Sequence, residues 1–126
     1  MTARLEHANY TVSDTAATAA WMVKLFGWHI RWEGASIHGG HSVHVGTDDC
    51  YLALYTPAIT PTPKPDTYTC IAGLNHIAIV VADLDATESA VRDHGFAPHS
   101  HQDYEPGRRF YFQDDDGIEY EVVQYD

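Results

Sequence analysis

The sequence predicts an α+β protein made of two βαβββ modules that pair their sheets into an open mixed-sheet barrel or trough. The segment LEHANYTVSD at residues 5–14 aligns without a gap with LNHIAIVVAD at residues 74–83. Each of these segments is followed by a helix-like stretch that stops at a glycine, and then by three strand-like stretches. One such module leaves an apolar sheet face uncovered, so we expect two modules to bury that face together.

Both predicted helices have recognisable ends. Asp14 and Asp83 stand at the N-cap positions, where a short carboxylate can accept the free N–H groups of the first helical turn. Gly27 and Gly95 stand just after the helices, where the left-handed backbone conformation favours glycine. The same pattern in both copies supports a helix at the same place in each module.

Three strand-like segments follow each helix. They are WHIRWEG, HSVHVGT and CYLALYT in the first copy, and FAPHSH, RRFYFQ and IEYEVVQY in the second. The stretch between the copies holds four of the six prolines and cannot form a helix interior or a central strand. We therefore predict a first module at 1–56, a proline-rich linker at 57–73 and a second module at 74–126, together forming one compact domain.

Composition excludes several classes of partner. The net charge is −11, which disfavours nucleic acid and anionic membrane surfaces. No apolar run is long enough to cross a bilayer, and the N-terminal residues do not form a signal peptide. The two cysteines provide no disulfide framework, so a cytoplasmic location is expected.

A carboxylate interrupts the apolar pattern of the last strand. Glu121 lies in the middle of IEYEVVQY, where an apolar residue would ordinarily pack. Because alternate residues of a strand share a face, Glu119, Glu121 and Val123 are expected on one side of the sheet. By the same rule Arg109 and Tyr111 share a face of the preceding strand, and the acidic DDDG segment between the two strands is expected to form a turn.

Histidines recur at equivalent positions of the two copies. His7 and His76 occupy matching places in the first strand of each module, and Asn9 shares a strand face with His7. Later in the chain, His99 and His101 are also expected to share a strand face. The repetition of His7 at His76 indicates a role beyond that of a lone histidine in an apolar strand.

The segments LEHANYTVSD, LNHIAIVVADLD and FYFQDDDGIEYE resemble the vicinal oxygen chelate superfamily. This group includes glyoxalase I, bleomycin- and fosfomycin-resistance proteins and type I extradiol dioxygenases, and the resemblance covers nearly the whole chain. It implies that His7, His76 and Glu121 bind a divalent metal. Two imidazoles and one carboxylate leave coordination positions open for a substrate with two adjacent oxygens. Fe(II) is the expected metal, with Mn(II), Ni(II) or Zn(II) as alternatives.

The resemblance also implies a function. We expect a metal-dependent enzyme whose small-molecule substrate chelates the metal through vicinal oxygens, with extradiol-type dioxygenation as the reaction. Tyr111 and Arg109 would act as catalytic and substrate-binding residues, and Asn9 would also contact the substrate. The alternatives are a glyoxalase-like lyase or isomerase, and a protein that sequesters a drug without turnover. A homodimer is expected, with modules paired within one chain or exchanged between chains.

Two positions depart from the enzymes of this family. In the first module, the counterpart of Glu121 is Leu54 or Ala53, depending on the alignment, and neither residue binds a metal. The base that glyoxalase I chemistry needs is therefore missing. The acid–base histidine of extradiol dioxygenases is matched here by Cys50 or Asp49.

Overall fold

The computed structural model describes residues 1–126. The chain divides into two compact units, Met1–Thr62 and Pro63–Asp126, and each unit has the element order βαβββ. The predicted α+β class with two βαβββ modules is therefore confirmed. Neither helix combines the length and the apolar character that a membrane span requires.

The first unit contains β1 (His7–Thr11), α1 (Thr15–Phe26), β2 (His29–Ala35), β3 (His41–Gly46) and β4 (Tyr51–Thr56), with a short 3-10 helix at Ile37–Gly39. Its four strands form a mixed sheet in the order β1-β4-β3-β2, in which only the β1–β4 pair is parallel. Helix α1 contacts β2, β3 and β4. The fully buried side chains of this unit include Met22, Val43, Val45 and Leu54.

The second unit repeats this arrangement. It contains β5 (His76–Val80), α2 (Leu84–His94), β6 (His99–Tyr104), β7 (Gly107–Gln113) and β8 (Glu119–Tyr125). The strand order is β5-β8-β7-β6, and again only the first pair is parallel. Large apolar side chains fill its core, including Phe110, Phe112, Tyr120 and Val122.

Both helices begin and end where the sequence predicts. The side chains of Asp14 and Asp83 each accept a hydrogen bond from the backbone N–H three residues later, at 3.1 and 3.0 Å. At the C-terminal ends, Gly27 and Gly95 have φ values of 70° and 106°. Residues other than glycine rarely adopt this backbone conformation, so the glycines end the helices with little strain.

The acidic turn between β7 and β8 is confirmed, but its first aspartate is not solvated. The carboxylate of Asp114 accepts hydrogen bonds from the backbone N–H groups of Asp116 and Ile118, at 3.0 and 2.9 Å, and from the hydroxyl of Tyr120 at 3.3 Å. Gly117 completes the turn with a φ of 80°. Asp114 is buried and organises the turn from within.

The expectation that His99 and His101 share a strand face is wrong. The pairing register of β6 shifts after His99, and Ser100 has a φ of 56°. As a result, Nε2 of His99 lies 2.7 Å from Oε1 of Gln113, while Nε2 of His101 lies 2.8 Å from Oε1 of Glu88 in α2. This bulge turns the two rings to opposite sides of the sheet.

Candidate functional site

The carboxylate of Glu121 is held by two donors in the second unit. The register of β7 and β8 places Tyr111 directly opposite Glu121. Oη of Tyr111 donates to Oε1 at 2.8 Å, and Nη1 of Arg109 donates to Oε2 at 3.1 Å. The side chains of Arg109 and Glu121 are only 12% and 10% exposed, so the ion pair is largely shielded from water. This pairing explains how an acidic residue is accommodated in the middle of an apolar strand.

Tyr111 is set up as a hydrogen-bond donor. Burial, followed by its hydrogen bond to Glu121, raises the pKa of Tyr111 to about 12. A phenol with this pKa keeps its proton at neutral pH. The edge of its ring also faces the ring of His76, with centroids 5.7 Å apart and planes at 87°. Tyr111 therefore contacts both of the metal ligands predicted in this unit.

His76 lies between two carboxylates. Its Nε2 is 3.4 Å from Oε1 of Glu121, and its Nδ1 is 3.3 Å from Oε2 of Glu119. Oη of Tyr68 lies 3.2 Å from Nδ1 and donates a hydrogen bond to Oε2 of Glu119. The parallel pairing of β5 with β8 produces this arrangement, because it places His76 directly opposite Glu119.

Arg109 has N–H groups that are not used in hydrogen bonds. Its hydrogen bond to Glu121 uses one of the five N–H donors of a guanidinium group. The guanidinium carbon lies 4.8 Å from the centre of the Tyr104 ring, and Nε is buried without a partner. The side chain is thus held in place on two sides while part of its hydrogen-bonding capacity remains unused.

The predicted residues of the first unit have local partners of their own. The His7 side chain is 41% exposed, and its Nδ1 lies 2.9 Å from Oε1 of Glu6. Its ring stacks on Tyr51 with centroids 4.9 Å apart. Nδ2 of Asn9 donates to the carbonyl oxygen of Ala53 at 2.9 Å. His7 therefore keeps an accessible ring, whereas the Asn9 amide group is tied to the backbone of the neighbouring strand.

Strand register identifies the counterpart of Glu121 in the first unit. The two units begin their parallel strand pairs at His7 and at His76. Two residues further along, the partner on the neighbouring strand is Ala53 in the first unit and Glu121 in the second. The counterpart is therefore Ala53 and not Leu54. The methyl group of this buried alanine can neither bind a metal nor move a proton.

Two residues of this site, Glu119 and Tyr68, are not among the predicted site residues. The sequence contained a signal for Glu119, because strand parity places it on the same face as Glu121. Tyr68 belongs to the proline-rich linker, and its side chain reaches Glu119 and His76 from outside any helix or strand. No periodic pattern in the sequence indicates that contact.

The second unit offers two donor atoms at a spacing that suits a metal. Two neighbouring ligand atoms about 2.1 Å from a metal lie roughly 3.0 Å apart in octahedral coordination and roughly 3.4 Å apart in tetrahedral coordination. Nε2 of His76 and Oε1 of Glu121 are separated by 3.4 Å. Histidines that bind metals usually donate their other ring N–H to a carboxylate, and Glu119 lies beside Nδ1. The residues present therefore fit two positions of a divalent metal site.

Two further observations qualify that fit. The structure contains no group of three or more His, Cys, Asp or Glu side chains arranged to hold a metal ion. In addition, the Arg109 guanidinium already contributes a positive charge to Glu121. A metal ion bound to Glu121 would have to share the carboxylate with Arg109. The positive charge of Arg109 therefore lowers the expected affinity of Glu121 for a metal ion.

Solved structures of other proteins share this fold. A glyoxylase/bleomycin resistance protein/dioxygenase domain from Frankia sp. EAN1pec is 21% identical, with a TM-score of 0.83 and 100% of each chain covered. The trypanothione-dependent glyoxalase I of Leishmania major is 18% identical, with a TM-score of 0.78, covering 98% of this chain and 87% of its own. TnmS3, an antibiotic binding protein from Streptomyces sp. CB03234, is 19% identical, with a TM-score of 0.73, covering 99% of this chain and 98% of its own.

The sequence itself also matches a family model. No curated protein is significantly similar to the chain. The model of the Glyoxalase/Bleomycin resistance protein/Dioxygenase superfamily, however, matches residues 4–122. That range includes all of the predicted site residues and every helix and strand of the two units except the last three residues of β8. The chain therefore belongs to the Glyoxalase/Bleomycin resistance protein/Dioxygenase superfamily.

Proposed function

We propose that the protein is a divalent-metal-dependent enzyme whose small-molecule substrate chelates the metal through two adjacent oxygens. The observation that most directly supports this is the 3.4 Å separation between Nε2 of His76 and Oε1 of Glu121, beside the donors Tyr111 and Arg109. His7 is proposed as the third ligand, on the family resemblance. Its exposed ring leaves it free to serve in that role.

Extradiol-type dioxygenation is the proposed reaction. A set of two histidines and one carboxylate with open positions is typical of non-haem Fe(II) oxygenases, so Fe(II) is the favoured metal and Mn(II), Ni(II) or Zn(II) are alternatives. When bound, such a metal would hold and polarise the two substrate oxygens. The residues of the chain would orient the substrate around it.

Each proposed substrate contact has a basis in the structure. Tyr111 keeps its proton, which it donates to Glu121 while no ligand is bound and would redirect to a substrate oxygen if a metal took over Oε1 of Glu121. The unused N–H groups of Arg109 can bind an ionised oxygen such as a phenolate. Asn9 is held by the bond from its Nδ2 to the Ala53 carbonyl, which leaves its Oδ1 and one N–H for a substrate.

A glyoxalase-like lyase or isomerase is a less favoured reaction. That isomerisation moves a proton between adjacent carbons and needs a base in the site. Ala53 stands where a second carboxylate would have to be. A lyase reaction that needs only a metal and an oriented substrate stays compatible with the residues present.

One observation favours a second candidate function, the sequestration of a small molecule without turnover. The Glu121 carboxylate is already neutralised by Arg109 and bonded to Tyr111. Such a network is stable without a metal, and it still presents donors to a ligand. The two candidates differ in whether the site holds a metal during function.

Metal analysis separates these candidates. The protein is purified without chelators, its metal content is measured, and oxygen uptake is followed with catechols. About one iron per chain with oxygen uptake supports dioxygenation, whereas zinc or nickel without uptake supports a lyase or isomerase. Tight binding of a small molecule without metal supports sequestration. Glu121→Ala is expected to lose the metal, while Glu88→Ala, which removes a carboxylate bound to His101, should retain it.

Two further proposals concern assembly and location. We propose a homodimer on the family resemblance, and light scattering in solution should give the mass of two chains. We also propose that the protein works in the cytoplasm. Cys50 and Cys70 are both exposed and unpaired, which suits a reducing compartment.

A further inference from the structure

The hydrogen bonds around His76 determine which of its ring nitrogens carries the hydrogen. The carboxylate of Glu119 can only accept hydrogen bonds, and the single O–H of Tyr68 is donated to Oε2 of that carboxylate. Nδ1 of His76 therefore faces lone pairs from both neighbours, Oη of Tyr68 at 3.2 Å and Oε2 of Glu119 at 3.3 Å. Only a protonated Nδ1 forms favourable contacts with both.

The hydrogen on Nδ1 also fixes the state of Nε2, on the other side of the ring. When a neutral imidazole carries its hydrogen on Nδ1, Nε2 presents a lone pair. Here Nε2 points that lone pair toward Oε1 of Glu121, 3.4 Å away, which is also an acceptor. In the neutral Nδ1–H ring these two acceptors repel each other, and a proton on Nε2 or a metal cation between them relieves that repulsion. The tautomer therefore prepares the His76–Glu121 pair to bind a cation.

We propose that Glu119 and Tyr68 are positioning residues that hold His76 in the tautomer whose Nε2 is free to bind a divalent metal. The part of this inference that concerns the metal rests on the proposed function. Glu119 is well placed for the task, because its side chain is only 18% exposed. Nε2 of Gln113 donates to its other oxygen at 3.4 Å, which restrains the carboxylate.

Glu119→Ala tests the proposal by reversing the tautomer. Without Glu119, the O–H of Tyr68 has lost its acceptor and is free to donate to Nδ1 of His76. The ring hydrogen then moves to Nε2, where it is donated to Glu121. The tautomer is read from the ring nitrogen chemical shifts of His76 in metal-free, ¹⁵N-labelled protein at mildly alkaline pH, and Zn(II) affinity is measured by calorimetry.

We expect wild type to show Nδ1–H and Glu119→Ala to show Nε2–H, with Zn(II) affinity weakened on the order of 10- to 100-fold. Adding Tyr68→Phe to Glu119→Ala removes the competing donor and should recover part of the affinity. Tyr68→Phe alone leaves the Glu119 acceptor in place and should keep the wild-type tautomer. Glu88→Ala removes the same charge elsewhere in the unit and is the matched control.

The outcomes distinguish this inference from the proposed function. An Nε2–H tautomer in the wild-type protein overturns the inference, as does a Glu119→Ala variant that binds Zn(II) as tightly as Glu88→Ala. Neither result affects the proposed metal site itself. A wild-type protein that binds no metal but shows the expected tautomer reversal overturns the proposed function while supporting the positioning role of Glu119 and Tyr68.

Discussion

Oη of Tyr111 and Oε1 of Glu121 are joined by a 2.8 Å hydrogen bond between directly opposed residues of β7 and β8. Together with the bond from Arg109, it satisfies both oxygens of a carboxylate that would otherwise be buried at considerable cost. Glu121 is therefore stable in the sheet before any ligand binds.

Tyr111→Phe should destabilise the protein by about 1–3 kcal/mol, because it leaves one oxygen of a buried carboxylate without its donor. Chemical denaturation of the metal-free protein measures the change. Tyr125→Phe, at a tyrosine that is 53% exposed, is the control and should change the free energy of unfolding by less than about 0.5 kcal/mol. Equal effects of the two substitutions would show that the Tyr111 hydrogen bond contributes little to folding.

Arg109→Leu should lower the free energy of unfolding by more, about 3–5 kcal/mol, because it leaves the buried charge of Glu121 without its partner. The double variant Arg109→Leu with Glu121→Leu removes both charges and should recover much of the lost stability. Arg108→Leu, which breaks an exposed pair with Asp85, should change the free energy of unfolding far less than Arg109→Leu does. Additive losses in the double variant would contradict this account of the pair.

Asp114 should make stability depend on pH between about 4 and 6. Burial raises the pKa of Asp114 from 3.8 to about 6 in the folded protein. The folded state then binds the proton more tightly than the unfolded state, so the contribution of Asp114 to the unfolding free energy rises as pH falls through about 6. The total change in the free energy of unfolding is on the order of 1–3 kcal/mol. It is complete once the pH has fallen to the pKa that Asp114 has in the unfolded chain.

The test of this pH dependence is Asp114→Asn, whose amide oxygen can still accept from the turn N–H groups. Unfolding free energies of wild type and variant are compared across the pH range, and their difference isolates the titration of Asp114. The exposed neighbour provides the control, since Asp115→Asn should leave the wild-type pH profile unchanged. A wild-type profile parallel to that of Asp114→Asn would rule out the raised pKa.

His7→Ala should separate metal binding from folding. The His7 side chain is 41% exposed, so we expect a change of no more than about 0.5 kcal/mol in the free energy of unfolding. If His7 is the third ligand, Zn(II) affinity should nevertheless fall by at least about tenfold. His29→Ala removes another exposed histidine beside a carboxylate and should leave affinity unchanged. Unchanged affinity in His7→Ala would remove that residue from the proposed ligand set.

Much of the fold could be predicted because its signals are local. The N-caps Asp14 and Asp83 and the glycines Gly27 and Gly95 act through the backbone of their own helices, so the sequence is enough to place them. Strand parity likewise predicted that Glu119 and Glu121 share one strand face and that Arg109 and Tyr111 share another, because side chains alternate regularly along a strand.

Tertiary structure decided the features that depend on register, irregularity and long-range contact. The sequence of the first module can be aligned with that of the second in two ways, which match Glu121 with Leu54 or with Ala53. Only the pairing of β1 with β4 identifies Ala53 as the counterpart. The bulge at Ser100 turns His99 and His101 to different faces of the sheet, although strand parity predicts a shared face. Tyr68 reached His76 from an irregular segment. Periodicity describes single elements, whereas these contacts arise only when separate elements pack together.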